Sequence, residues 1–203
     1  MFWIRNRMFS LRKPSPAQIE AFLAAQAAEP LSYPHVGASG GPAPPGYRGV
    51  DVRAVIGRGR ERFEQACSDL RHWRQFELGW VEACPANTPL EVGRNVAVVA
   101  HSAGLWAMNA CRIVEVWNES SWPQPGEQAR YLFGFAYGTL RHAGRGEELF
   151  LVEWNPSDDQ VTYAIRSFSR PGYWMSWLGY PLFLSSQRRF VRESVAVMGR
   201  QAR

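Results

Sequence analysis

The stretch from Tyr131 to Phe150, YLFGFAYGTLRHAGRGEELF, constrains the fold more than any other part of the chain. Its odd positions from 131 to 137 are all aromatic, and its even positions from 134 to 138 are all Gly or Ala. Successive side chains of a strand point to opposite faces, so one face of this strand is crowded and the other is nearly bare. The pattern predicts a central strand with one aromatic face and one face on which a helix or ligand approaches the backbone closely.

Hydrophobic periodicity divides the rest of the chain into helices and short strands. Helices are predicted over 15–28, where Ser15 and Gln18 suit a capping box, over 60–73 and over about 181–198. Strands are predicted over 50–56, 76–82, 90–101, 105–117, 130–140, 147–155 and 161–168. The segment 30–49 is rich in Pro and Gly, and we predict an ordered loop pinned by Tyr33, Val36 and Tyr47.

A run of strands followed by a helix indicates the α+β class. We expect a seven-stranded, strongly curved antiparallel sheet whose concave face is covered by the long C-terminal helix, preceded by an N-terminal helical arm. The space between this sheet and this helix is either packed core or a ligand cavity, and the sequence leaves both interpretations open.

The charge of the chain argues against nucleic acid as a partner. The net charge is +5, but residues 1–13 carry +4 and residues 188–203 carry another +4, which leaves the body of the chain at −3. A nucleic-acid footprint requires basic residues across a structured face, whereas here they lie at the two ends. Basic termini are typical of solvated ends, with contact to a membrane surface as a weaker alternative.

The remaining composition points to a cytoplasmic protein without a cofactor. Three cysteines (Cys67, Cys84 and Cys111) make an odd count that does not suit a disulfide framework, so we expect free thiols in a reducing compartment. The four histidines have no metal-ligand spacing, and no apolar run approaches the length of a membrane span. We expect no metal and no cofactor, and the sequence does not indicate an oligomeric state.

Several motifs resemble the DUF1990 (UPF0548) family of uncharacterised proteins. They are LSYPHVGA at 31–38, PPGY at 44–47, Trp73 with Phe76, Gly79 and Trp80, GLW at 104–106 with Asn109, Cys111 and Arg112, GFAYGTL at 134–140, RGEE at 145–148, FSRP at 168–171 and QRR at 187–189. The chain departs from the family pattern after Leu140, where its turn is one residue shorter and lacks the prolines, so His142 aligns only with a gap.

The resemblance implies a helix-grip fold of the Bet v 1-like, START-type superfamily. The domain division is then 1–49 for the arm, helix and Pro/Gly-rich loop, and 50–203 for the helix-grip domain. The family has no agreed reaction. The superfamily commonly binds apolar or amphipathic small molecules, lipids among them, and some of its members are enzymes.

The turn after the aromatic strand holds the candidate catalytic residues. His142 lies close in sequence to Glu147 and Glu148, and a carboxylate that orients a histidine ring makes a general base. The alternative is a solvated hairpin whose charges keep it soluble. The sequence does not decide whether the protein is an enzyme, and the absence of common catalytic motifs makes a binding protein the first choice.

Candidate ligand-binding residues combine aromatic walls with a few polar groups, which is the usual make-up of a small-molecule site. They are Trp106, Asn109, Arg112, Phe135, Tyr137, Thr139 and Arg170. For the aromatic members the alternative is plain core, and for Arg112 and Arg170 it is an ion pair or a solvent-facing position.

Three functions follow from these residues, in order of preference. The first is a small-molecule binding protein with an apolar or amphipathic ligand between sheet and helix. The second is an enzyme of the same fold that uses His142 with Glu147 or Glu148 as acid and base. The third is a peripheral membrane or partner-docking protein that acts through its basic termini.

Overall fold

One curved antiparallel sheet of eight strands forms the centre of the protein. The computed structural model describes residues 8–118, 130–140, 144–172 and 180–200, with the backbone alone at 180–183. The strands are β1 (Phe9–Ser10), β2 (Arg48–Arg58), β3 (Val81–Cys84), β4 (Asn95–Ser102), β5 (Leu105–Trp117), β6 (Tyr131–Thr139), β7 (Gly144–Asn155) and β8 (Gln160–Pro171). Seven follow the order β2-β8-β7-β6-β5-β4-β3, and the short β1 pairs with β5. The predicted seven-stranded sheet is confirmed, with one strand added by the N-terminal arm.

Within the described residues, three helices pack on the two faces of this sheet. They are α1 (Pro16–Gln26), α2 (Arg60–Arg71) and α3 (Tyr180–Met198). The capping box of α1 is present, because the Ser15 hydroxyl accepts from the Gln18 amide and the Gln18 side chain accepts from the Ser15 amide. We call the face that packs against α2 and α3 the inner face, and the opposite one the outer face. The C-terminal helix covers the inner face, so the helix-grip arrangement is confirmed.

The inner face is built from the aromatic positions of β6. Phe133 and Phe135 are fully buried there, and the Trp73 ring lies 4.7 Å from Phe135 between centroids. Phe190 of α3 packs 5.0 Å from Phe76 and 6.1 Å from Phe150. Aromatic rings in such tilted and edge-on contacts fill space densely. The C-terminal half of α3 therefore covers a closed core.

The outer face is covered by α1 and by the loop that follows it. Ile19 and Phe22 of α1 pack against Met108 and Leu140 of the sheet. The loop that follows α1 is ordered by Tyr33, which is 5% exposed, and by Tyr47, whose ring lies 5.2 Å from Phe168. Val36, the third predicted anchor, is 53% exposed and does not pin the loop.

Two strands start later than the sequence predicts. The predicted strand 76–82 begins instead with a 3₁₀ turn at Arg74–Phe76 and becomes β3 only at Val81, because Trp73 and Gly79 adopt positive φ and turn the chain. The predicted strand 90–101 becomes β4 only at Asn95, because Gly93 has a φ of 92°. Hydrophobic alternation does not reveal either turn.

The bare face of β6 is approached at Gly138 by the side chain of Tyr33 from the loop. A Cβ placed on Gly138 would lie 2.7 Å from the ring carbons of Tyr33 and closer still to its hydroxyl. Real Cβ atoms do not come so near, and Tyr33 is held by a 2.7 Å hydrogen bond that its hydroxyl donates to Glu147. Gly138 thus makes room for the loop.

We expect Gly138→Ala to lower the free energy of unfolding by about 1–3 kcal/mol, because the added methyl group must displace Tyr33. Urea denaturation measures the change. Gly40→Ala is the control, since nothing lies within 4 Å of its Cβ position, and it should stay within about 0.5 kcal/mol of the parent. Equal effects of the two substitutions would contradict the close contact.

A buried guanidinium joins α2 to the end of α3. Arg62 donates from Nε to the Ile56 carbonyl at 3.2 Å and from Nη2 to the Met198 carbonyl. Burial lowers its pKa, and Asp69 opposes that effect from 3.9 Å. The C-terminal end of α3 is therefore tied to α2 and β2. Among the described helices, none combines the length and the apolar character needed to cross a bilayer.

Candidate functional site

The adjacent carboxylates Glu147 and Glu148 lie on opposite faces of the sheet. In β7, the inner face takes Glu148, Phe150 and Val152, while Glu147 and Leu149 point outward. Tyr137 of β6 is the cross-strand partner of Glu148. The alternation of a strand separates the two acids, so they cannot serve one site as a pair.

Glu148 and Tyr137 form a hydrogen-bonded pair on the inner face. The Tyr137 hydroxyl donates to Oε2 of Glu148 at 2.6 Å. Desolvation raises the pKa of Glu148 to about 7, and the hydrogen bond from Tyr137 opposes part of that shift. Desolvation and the neighbouring Glu148 charge raise the pKa of Tyr137 well above its ordinary value. The pair thus combines a carboxyl that can titrate near neutral pH with a phenol that stays protonated.

Further polar groups extend this pair across β8 to α3. Ser167 is the cross-strand partner of Glu148, and Nε2 of Gln187 donates to its hydroxyl at 3.4 Å. We call Tyr137, Glu148 and Ser167 the inner polar row. Two turns further along α3, Ser194 forms a 2.9 Å hydrogen bond with the Tyr163 hydroxyl. The side of α3 that faces the sheet is therefore polar as well as apolar.

Part of the inner face beside the inner polar row is accessible to solvent. Glu148 is partly exposed, although β7 has a strand on either side and its neighbours Leu149 and Phe150 are 2% and 0% exposed. The same partial exposure recurs on the inner face of β4 and β5 and on α3, at Val98, Ala100, Asn109, Ser186 and Gln187. The inner face is closed around Phe190 and more open around Glu148.

One polar atom in this region has no partner within the described part of the chain. Oε2 of Glu148 accepts a hydrogen bond from the Tyr137 hydroxyl, whereas Oε1 accepts no hydrogen bond from the described residues. Cys111 lies in the same inner core, and burial followed by the Glu148 charge raises the pKa of its thiol. A carboxylate oxygen without a donor inside a protein is a ready acceptor for a ligand.

Glu147 anchors the outer loop. Its carboxylate accepts from the Tyr33 hydroxyl at 2.7 Å and the Gly37 amide at 2.9 Å, and from the Ser39 amide at 3.0 Å and the Ser39 hydroxyl at 2.5 Å. The side chain is only 3% exposed. Its lone pairs are occupied by protein donors, which suits a structural role better than catalysis.

The predicted ligand-binding residues divide between the two faces. Asn109, Phe135 and Tyr137 lie on the inner face. Thr139 sits at the end of β6, where its hydroxyl is engaged by Ser32 and by the Gly146 backbone. His142 lies outside the described residues, so the structure does not place the predicted acid–base partner.

Three predicted residues lie on the outer face and make structural contacts. Trp106 stacks on His101 with centroids 4.8 Å apart. Arg112 donates at 2.9 Å to both the Asn95 side chain and the Ala27 carbonyl that ends α1. Arg170 lies over the Tyr47 ring at 4.6 Å. These side chains are separated from the inner polar row by the sheet.

Sequence reasoning missed Ser167 and Gln187. Ser167 lies on the inner face of β8 because it is two and four positions from Ile165 and Tyr163, which are on that face. This spacing of two can be read from the sequence. Its alignment with Glu148 depends on the strand register, which the sequence does not reveal. Gln187 falls one helical turn before Val191 and two turns before Ser194 on α3, so its inward position follows from helical spacing.

An outer cleft of about 470 Å³ lies between β2, β8 and the loop at 39–43. Arg166 lines it, donates to the Gly40 carbonyl at 2.8 Å and lies 3.2 Å from the carboxylate of Asp51. Asp51 is exposed, so this ion pair is weak. Nη1 of the guanidinium is engaged by the Gly40 carbonyl, while its buried Nε lies beside Asp51 without a hydrogen bond to the described residues.

Comparison with known proteins places the chain in a family. A UPF0548 protein of Dictyostelium discoideum is 33% identical over 204 residues, covering 92% of both chains. A UPF0548 protein of Deinococcus radiodurans is 33% identical over 200 residues, covering 96% of this chain and 99% of the relative. Among solved structures, Ara h 8.0201 aligns with a TM-score of 0.40 and 10% identity over 76% of this chain and 100% of that one. Because the model of a domain of unknown function also matches residues 32–197, the chain belongs to the DUF1990 family.

Proposed function

We propose that the protein binds an apolar or amphipathic small molecule between the inner face and the N-terminal half of α3. The observation that carries this proposal is the partial exposure of Glu148 on a central strand beneath α3, where neighbouring positions of the strand are closed. The polar end of the ligand lies on the inner polar row, and its apolar part lies toward Val98 and Ala100.

The chemistry of the surroundings supports this arrangement. Small-molecule sites are mostly apolar, with a few polar groups that fix the orientation of the ligand. Here Tyr137, Glu148 and Ser167 are the polar groups, and the adjoining walls are aromatic and aliphatic. The cysteines are free thiols, which supports a reducing, cytoplasmic setting for the protein.

The neutral fluorophore N-phenyl-1-naphthylamine tests the site in the full-length chain. We expect saturable binding that is weakened at least about tenfold by Ala100→Phe, because the added ring occupies the apolar part of the proposed site. The control is Val55→Leu, which enlarges a side chain that is 57% exposed and should leave binding unchanged. The absence of saturable binding, or an unaltered affinity of Ala100→Phe, would refute the proposal. Far-UV circular dichroism confirms that each variant is folded.

A second candidate function is acid–base catalysis at the same place. The observation that favours it is the Glu148 pKa of about 7, since a carboxyl of that pKa can both accept and donate a proton near neutral pH. Tyr137 then orients the carboxyl through its 2.6 Å hydrogen bond. Mass spectrometry of a ligand that co-purifies with the protein separates the two functions. If the ligand is chemically unchanged after prolonged incubation with the protein, the result favours binding. If the ligand is converted and Glu148→Gln abolishes the conversion, the result favours catalysis.

A further inference from the structure

We propose that the ligand of this site carries a hydrogen-bond donor as its head group, with a protonated amine preferred, and that the site rejects carboxylate and phosphate head groups. This inference rests on the proposed function and names the class of ligand. It starts from Glu148, whose Oε1 accepts no hydrogen bond from the described residues while the side chain is partly accessible.

The groups that face Glu148 do not supply a compensating charge. Tyr137, Cys111 and Tyr163 are its titratable neighbours on the sheet, and burial raises the pKa of each, so all three are neutral near pH 7. From α3, the described side chain that reaches the sheet beside Glu148 is Gln187, which is uncharged and donates to Ser167.

Three arginines of α2 and α3 make contacts away from Glu148, and one of them, Arg71, lies over the Phe133 ring at 4.2 Å. Arg189 of α3 lies over the Trp80 ring at 4.5 Å and pairs with Glu193 at 2.9 Å. Arg62 of α2 is bound to backbone carbonyls at the far end of α3. Within the described part of the chain, an ionised Glu148 therefore has only the Tyr137 hydroxyl to stabilise it.

A ligand head group completes this arrangement only if it donates a hydrogen bond to Oε1 of Glu148. An ammonium or amide N–H aimed at Oε1 supplies the missing hydrogen bond, and hydrogen bonds between charged groups are the strong ones in proteins. When Glu148 is ionised, as it is at pH 8, a carboxylate or phosphate would bring a second negative charge to a partly desolvated carboxylate, which is unfavourable for both. The Ser167 hydroxyl and the Gln187 amide can then accept further N–H groups of the same head.

Three ligands of equal chain length separate head-group preference from simple apolar binding. Decylamine, decanol and decanoate compete with N-phenyl-1-naphthylamine for the full chain at pH 8, each below its micelle concentration. We expect decylamine to bind about tenfold more tightly than decanol, and decanoate to bind more weakly than decanol. Glu148→Gln should reduce the ratio of decylamine affinity to decanol affinity from about ten to about one, and far-UV circular dichroism shows that the variant is folded.

Glu153→Gln is the matched control, because Glu153 lies on the same strand but on the outer face and pairs with Arg53 and Arg130. It should keep the preference for the amine. Equal binding of all three ligands, or a preference for decanoate, would overturn the head-group assignment while the proposed function stands. If none of the three displaces the fluorophore, the proposed function itself fails.

Discussion

Replacing Glu147 by Gln is expected to lower the free energy of unfolding by about 3 kcal/mol, although the two side chains have nearly the same shape. Each carboxylate oxygen accepts two hydrogen bonds: Oε2 from Tyr33 and Gly37, and Oε1 from the amide and hydroxyl of Ser39. A Gln side chain has only one oxygen. Whichever way its amide is turned, its NH₂ group faces donors, and those buried donors lose their acceptor.

Urea denaturation followed by tryptophan fluorescence measures this change. Glu153→Gln is the control on the same strand and face, where the carboxylate pairs at 3.6 Å with Arg53 and at 3.2 Å with Arg130. Those arginines are largely exposed, so the control should cost less than about 1 kcal/mol. If the two variants lose equal stability, Glu147 is not the anchor that the geometry indicates.

The stability of the parent protein relative to Glu148→Gln is expected to fall as the pH rises from about 4.5 to about 7. In this interval the folded protein keeps the Glu148 proton, whereas the unfolded chain has already lost its own. Stability decreases with pH wherever the folded state binds more protons. The contribution of Glu148 is therefore complete below the unfolded pKa and is lost as the pH passes through the folded pKa.

The size of this effect follows from the shift in pKa. Each unit corresponds to about 1.4 kcal/mol, so Glu148 contributes a difference of at most about 3 kcal/mol between acidic and alkaline pH. The partial exposure of the side chain makes this an upper bound. The free energy of unfolding is measured for the parent and for Glu148→Gln at a series of pH values. The difference between the two proteins gives the contribution of Glu148, because the contributions of the other titrating groups cancel.

Tyr137→Phe tests the cause of the same titration. The variant removes the hydrogen bond that favours the ionised carboxylate, so the fall in stability should shift to higher pH. A difference curve between the parent and Glu148→Gln that is flat from pH 4.5 to 8 would show that the carboxyl is not desolvated.

The sequence predicted the fold well, because the strong signals were local. The alternation in β6 correctly separated its aromatic face from its small-residue face, and helical periodicity identified the helix that covers the sheet. The capping box at Ser15 was visible from residue types alone. Each of these features depends on residues that lie within a few positions of one another.

The site was harder to predict, because it depends on how separate strands align. Arg112 and Asn109 belong to the same strand, but Arg112 lies on the outer face and Asn109 on the inner face. Only the register of β5 with β4 shows which of the two faces is the inner one. A bulge between Ile113 and Glu115 then reverses the alternation within β5. The opposite orientation of Glu147 and Glu148, by contrast, follows from their adjacent positions in one strand. The prediction that groups both with His142 does not take this into account.

The pairing of β2 with β8 has a consequence for synthesis of the protein. β2, at Arg48–Arg58, stands at one end of the strand order, and its hydrogen-bonded neighbour is β8 at Gln160–Pro171. During translation β2 therefore leaves the ribosome long before its partner exists, and its backbone groups stay unpaired until most of the chain has been made. Contacts so distant in sequence slow folding, and an unpaired strand invites wrong pairing. We expect nascent chains that stop before residue 160 to depend on chaperones, and the sheet to reach its native order only when the final strand is released.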